Sequence, residues 1–172
     1  MGRVVLRSAF VVAAGLGASV AMLPSVAAAD GLIVTHRIPA AVAARIVSAV
    51  VEACAAKGYA ETAVVVDADG VRQAVLRGDK AGYHSLDSAY DKAYTAGTFK
   101  ADTLALAERA KTVPGFANLF TQLPHLILFG GGVVIKFGDE VIGAVGAAGA
   151  PGADLDDGCA KAGVAAVQDQ LK

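Results

Sequence analysis

The stretch 129–152, FGGGVVIKFGDEVIGAVGAAGAPG, restricts this chain more than any other. Two apolar runs, 133–137 and 140–145, flank Gly138-Asp139. A two-residue link containing glycine predicts a tight hairpin, because glycine reaches the positive φ that primed turns need. That turn pairs Phe137 with Glu140, Ile135 with Ile142 and Val133 with Ala144. Both runs are almost continuously apolar, so both faces of the hairpin are expected to be covered. Gly143, Gly146 and Gly149 recur every third residue. Without side chains they invite a close approach by a packed helix, a partner subunit or a flat ligand.

The chain opens on a targeting pattern. Arg3 and Arg7 precede an apolar run from Ala9 to Met22, and Ala27-Ala28-Ala29 supplies a small-residue cleavage box. This predicts a secretory signal peptide over 1–29, cut near Ala29, and a secreted or periplasmic mature chain, 30–172, of single-domain length. Cleavage there removes two arginines and no acid, so the formal charge of −1 becomes more negative. That balance argues against nucleic acid as a partner, since its binders cluster basic surface. The hydrophobic share is 55%, largely alanine and valine, with no tryptophan. So apolar a chain of this size suits a homo-oligomer that hides part of its surface.

Helical spacing of Ile38, Val42, Ile46, Ala49, Val50 and Ala53 predicts a first helix over 39–57. Residues 62–67, TAVVVD, read as a buried strand, and 71–77 as its return after the Asp67–Gly70 turn. Ser85 is placed to cap a helix over 86–97, and Asp102 one over 103–112. Residues 116–124 read as an apolar loop or a short irregular helix, and 126–129 as a short strand before the hairpin. Asp154 is placed to cap a last helix over 155–171. The order α-β-β-α-α-β-β-β-α contains hairpins rather than repeated βαβ units. It predicts an α/β chain of the α+β type: a mainly antiparallel sheet of about five strands with helices packed on it. Cys54 and Cys159 fall in the first and last helices; they form a disulfide if those helices lie side by side, or remain buried thiols if not.

Little in the residues spells out chemistry. The glycines of 143–152 fit neither dinucleotide nor phosphate-loop spacing, and Asp154, Asp156 and Asp157 repel an anion there. Ser85 and Ser88 lack a nucleophile-elbow setting, and neither cysteine carries a catalytic signature. Of the three histidines, no two stand at metal-ligand spacing. His84 is the most informative, beside Tyr83 and a loop with Arg77 and Lys80. An imidazole among aromatics and cations suits haem, whose iron takes imidazole and whose propionates take Lys or Arg; the same residues also make an ordinary polar loop.

Three segments together resemble the HbpS/GlcG-like family of haem-binding or haem-degrading proteins. VVVDADGVRQAVLRGDKA resembles its strand–turn–strand run ending in Arg-x-Asp-x-Ala, here Arg77, Asp79 and Ala81. SLDSAYDKAYTAGTF resembles its central helix, with Ser85, Ala89, Lys92, Ala93, Thr95 and Ala96 in place. FGGGVVIKFGDEVIGAVGAAGAPGADLDDGCAKAG resembles its glycine-spaced ending. Two departures are Val133, where the family often has a polar residue or proline, and Gly78, where methionine is common.

The resemblance implies haem or iron handling outside the cytoplasm, in an oligomer as large as an octamer. The protein would sequester haem or report it to a membrane sensor or transporter. The resemblance makes His84 and Thr103 pocket residues, Lys92 and Lys100 propionate partners, and His36 an alternative axial ligand. A planar tetrapyrrole or a neighbouring protomer would then occupy the glycine positions. Rival readings are a small enzyme acting on haem or another organic ligand, for which no nucleophile–base pair is visible, and a structural accessory protein without ligand.

Overall fold

In the computed structural model, which describes residue 31 and residues 33–172, the glycine-linked hairpin forms the far half of a four-stranded antiparallel sheet. The expected leader, 1–29, lies outside the described residues. From residue 34 onward the elements are α1 Ala40–Ala55, β1 Thr62–Asp67, β2 Arg72–Arg77, α2 His84–Phe99 and α3 Thr103–Thr112. Then follow α4 Phe116–Gln122, β3 Gly132–Phe137, β4 Glu140–Ala148, α5 Ala153–Ala165 and a 3₁₀ turn, Gln168–Gln170. The strand order is β2-β1-β4-β3. The predicted α+β class holds, with four strands in place of about five. Residues 126–129 form no strand, because Ile127 N–H donates to Thr95 Oγ1 on α2 and so has no strand partner.

The hairpin keeps the predicted turn and the Phe137–Glu140 pair, but its register slips after that. Ile135 faces Gly143 and Val133 faces Val145, because a bulge at Ile142 adds one residue to β4. The slip keeps Ile142 on the same apolar face as Val145 and Ala147, packed with Val65, Ile135 and α1. α1 and α5 cover this face, while α2 covers the other through Ala89, Ala93 and Ala96 on Val64, Val66 and Ala144. α2 begins at His84 rather than after a Ser85 cap; Ser85 is buried, its hydroxyl donating to Gly82 O and sharing a hydrogen bond with Thr62 Oγ1. α5 likewise starts at Ala153, with Gly152 as N-cap and Asp154 inside its first turn.

The close approach that the glycines invite comes from the chain itself. A Cβ on Gly146 would lie 1.9 Å from the Ala89 carbonyl oxygen, and one on Gly132 would lie 2.3 Å from that of Lys92. Gly143 meets Val66 backbone and Gly149 meets Ala60 backbone in the same way. So α2, β1 and the loop before β1 fill the positions expected to admit a tetrapyrrole or a neighbour, which corrects that expectation. On the opposite face Cys54 and Cys159 are bridged, their Cα atoms 5.5 Å apart, which ties α1 to α5.

Candidate functional site

α2 organises the polar chemistry as well as the packing. Its alanine face sits so close to β4 that Lys92, on the same face, is carried inside, 1% exposed. Lys92 Nζ donates to Asp156 Oδ2 at 2.6 Å and to the Ala147 carbonyl at 2.9 Å. The other Asp156 oxygen accepts from Ala150 N–H at 2.9 Å. Glu61 is wholly buried beside this pair, and neither of its carboxylate oxygens has a hydrogen-bond partner among the described residues. Burial first, and then the neighbouring Asp156 carboxylate, push its pKa up to about 8, against the pull of Lys92.

That shift gives a stability prediction. The folded chain holds a proton on Glu61 that the unfolded chain has released above its ordinary carboxylate pKa near 4.5. The contribution is therefore complete at acid pH and is lost as pH rises toward 8. Denaturant midpoints measured from pH 5 to pH 8.5 should fall for the wild type and stay level for Glu61→Gln. A wild-type profile that rises across that interval would contradict the assignment.

The structure separates the residues nominated from sequence. Thr103 is fully buried, and its Oγ1 accepts from Gly132 N–H at 2.9 Å. Beside it Asp102 Oδ1 accepts from Val134 N–H at 3.0 Å. Thr103 and Lys92 thus meet at the Gly131–Gly132 turn, inside the protein. His84 stands exposed at the start of α2, with no hydrogen-bond partner among the described residues. Lys100, just past the far end of α2, is exposed in the left-handed conformation, roughly 24 Å from His84 at 1.5 Å rise per residue. It lines a small cleft of about 200 Å³ with Arg37, Asp69 and Glu140. His36 belongs to that end too. Its Nδ1 lies 2.6 Å from Glu140 Oε2 and its ring packs on Phe137, which holds the Glu140 carboxyl below the usual range.

One cluster escaped the sequence reading. His125, in the turn after α4, places Nδ1 2.8 Å from Asp91 Oδ1 on α2. The Tyr90 and Tyr94 rings lie 5.2 and 5.9 Å from its own, and the Arg72 guanidinium stacks 3.4 Å above Tyr90. The only available signal was Tyr90, Asp91 and Tyr94 at helical spacing; nothing marked residue 125 as their neighbour. Elsewhere, a groove of about 600 Å³ runs between β3 and the C-terminus, lined by Val134, Lys136, Phe137, Leu171 and Lys172 among others. It has the size of a small-molecule site, but none of the nominated residues borders it.

Chemically, the described residues hold no group of three His, Cys, Asp or Glu side chains able to cage a bare metal ion. They do present single imidazoles at the surface. One imidazole suffices for an iron whose other ligands come from a macrocycle.

A family model described as "Haem degrading protein HbpS-like" matches residues 38–165. A crystal structure of a double mutant of HbpS from Streptomyces reticuli is 33% identical, with TM-score 0.74, covering 86% of this chain and 98% of that one. The Klebsiella pneumoniae protein ORFY, of family DUF336, is 25% identical with TM-score 0.76, covering 82% of this chain and 97% of its own. A PduOC:haem complex shares the fold at 24% identity, TM-score 0.71, covering 76% and 95% respectively. No curated protein matches the sequence.

Proposed function

This chain belongs to the HbpS-like family, and from that membership we propose that it is an exported haem-binding protein that sequesters haem or senses it outside the cytoplasm. The carrying observation is the family match across 38–165, whose description names haem. Export is supported by the basic start, the apolar run and the Ala27-Ala28-Ala29 box, and by a disulfide suited to an oxidising compartment.

A haem site is served by an accessible axial ligand such as imidazole, a face for the ring and cations for the propionates. The outer side of α2 offers these together. His84, Asp87 and Asp91 share one helical face, with Tyr94 at its margin and Arg72 beside it. In this reading His84 contacts the bound haem directly. Lys92 and Thr103 act from within, fixing α2 and the Gly131–Gly132 turn behind that face. Lys100 and His36, at the other end of α2, would serve a haem edge or a second ligand position. The exposed side chains of Val71, Val75 and Tyr83 favour the homo-oligomer that such an assembly would form. A membrane sensor or transporter is the partner class that a reporting role requires.

Titrating the purified protein with hemin is expected to give a Soret shift saturating at micromolar ligand, and His84→Ala is expected to weaken it several-fold. An unshifted Soret band at micromolar hemin would remove the proposal. The family description also includes degradation, so the same sample carries a second test. Loss of the Soret band with a reductant, faster than that of free hemin, would favour turnover over storage.

A further inference from the structure

We propose that the iron-binding imidazole of this protein is His125, oriented by Asp91 and walled by Tyr90 and Tyr94; this rests on the haem reading above. Four observations carry it. First, the Nδ1–Asp91 contact leaves Nε2 as the ring nitrogen not engaged by the carboxylate, the arrangement in which a carboxylate orients a ligating histidine. His125 is 51% exposed and Asp91 29%, so the nitrogen is reachable while its support is sheltered. Second, two tyrosine rings stand edge-on to the imidazole and provide apolar surface for a flat ring system. Third, Arg72 lies over Tyr90 and forms no salt bridge among the described residues, so a guanidinium is available for a carboxylate of the ligand. Fourth, His125 holds φ of 62°, a left-handed conformation that glycine would adopt without strain. Its carbonyl accepts from Thr95 Oγ1 and its ring is tied to Asp91, so local bonds hold a strained backbone that presents the imidazole.

The other two histidines are weaker candidates for the iron. Among the described residues, no side chain hydrogen-bonds the His84 ring to orient it. His36 is oriented by Glu140, but the neighbouring Arg37 is already paired with Asp67 and Asp69, so that guanidinium is not free for a propionate. It also lies outside the residues the family model matches. His84 stands two turns from Asp91 on the same face, about 10 Å along the axis, so it would meet the edge of a ring system seated at His125.

The test is a hemin titration of four proteins followed by absorption spectra: wild type, His125→Gly, Asp91→Asn and His84→Ala. His125→Gly is chosen because glycine relieves the left-handed backbone, so the fold is not at risk; its thermal melt is the check. It should lose the imidazole-type spectrum and bind about tenfold or more weakly, and free imidazole should restore the spectrum. Asp91→Asn should keep the ligand but raise the haem reduction potential, as expected when a carboxylate no longer supports the imidazole. His84→Ala should weaken binding without changing the type of spectrum. If His125→Gly keeps the wild-type spectrum, or if His84→Ala is the variant that loses it, the ligand assignment is overturned while haem binding stands. If the wild type itself gives no shift, both fall.

Discussion

Lys92→Met is expected to lower the unfolding free energy by about 3–5 kcal/mol, the cost typical of breaking a buried ion pair from one side. The side chains of Lys92 and Asp156 are 2% and 5% exposed, so water cannot take over the role of the missing partner. Removing the ammonium leaves the Asp156 carboxylate, among the described residues, with the Ala150 N–H as its donor and buried Glu61 as its neighbour, and leaves the Ala147 carbonyl without its lysine donor. The Lys161–Asp157 pair on the same helix is a useful contrast. Lys161 is 54% exposed while its partner Asp157 is 6% exposed, so truncation strands one sheltered carboxylate but strips no buried lysine, and it should cost less than the loss of Lys92. Packing decides the double variant. Lys92→Met with Asp156→Leu removes both charges at similar volume, and such exchanges are often neutral, so it should recover most of the loss. Urea unfolding of the wild type, both singles and the double gives the coupling energy directly. A Lys92→Met loss below about 1 kcal/mol would mean that the pair is not sheltered as described.

Lys92 also shows what could and could not be read before folding. Ser85, Ala89, Lys92, Ala93 and Ala96 fall on one face of α2, so the alanine stripe already carried Lys92 with it. The resemblance made Lys92 a propionate partner, a role that needs a reachable ammonium, and lysines are rarely buried unless paired. Its partner was out of reach, because Asp156 lies 64 residues on and sits among the three acids at the start of the last helix, with nothing to single it out. Thr103 has a similar history: the helix start was legible, but not that its hydroxyl would accept from Gly132. β1 and the hairpin turn followed from β-branched runs and a Gly-Asp link, which are local signals. The Ile142 bulge did not, since it depends on which side chains α1 presents to β4. Residues 126–129 have strand-like composition, but Thr95 on α2 takes up the Ile127 backbone N–H instead. The His125–Asp91 contact is the least legible of all. It depends on where the α4 turn lands on α2, which no periodicity records.

Loss of the Cys54–Cys159 bridge is the other change expected to cost the most, about 2–5 kcal/mol, because it spans nearly the whole described domain. The cysteines are 105 residues apart, and closing a loop of that length in the unfolded chain corresponds to about 4–5 kcal/mol by chain entropy. Native packing works in the other direction. α1 and α5 already approach so closely that a Cβ on Gly163 would fall 2.2 Å from Val50 Cγ2, so the helices keep their apolar contact once the bridge is cut. The folded state therefore changes little, and the effect falls on the unfolded ensemble, which regains the freedom of the whole stretch from β1 to β4. Urea unfolding of the Cys54→Ala, Cys159→Ala double variant should show a lower midpoint with native secondary structure unchanged below the transition. Dithiothreitol should lower the wild-type midpoint similarly and leave that of the variant in place. A reduced wild type within about 1 kcal/mol of the oxidised form would show that α1–α5 packing alone sets the stability.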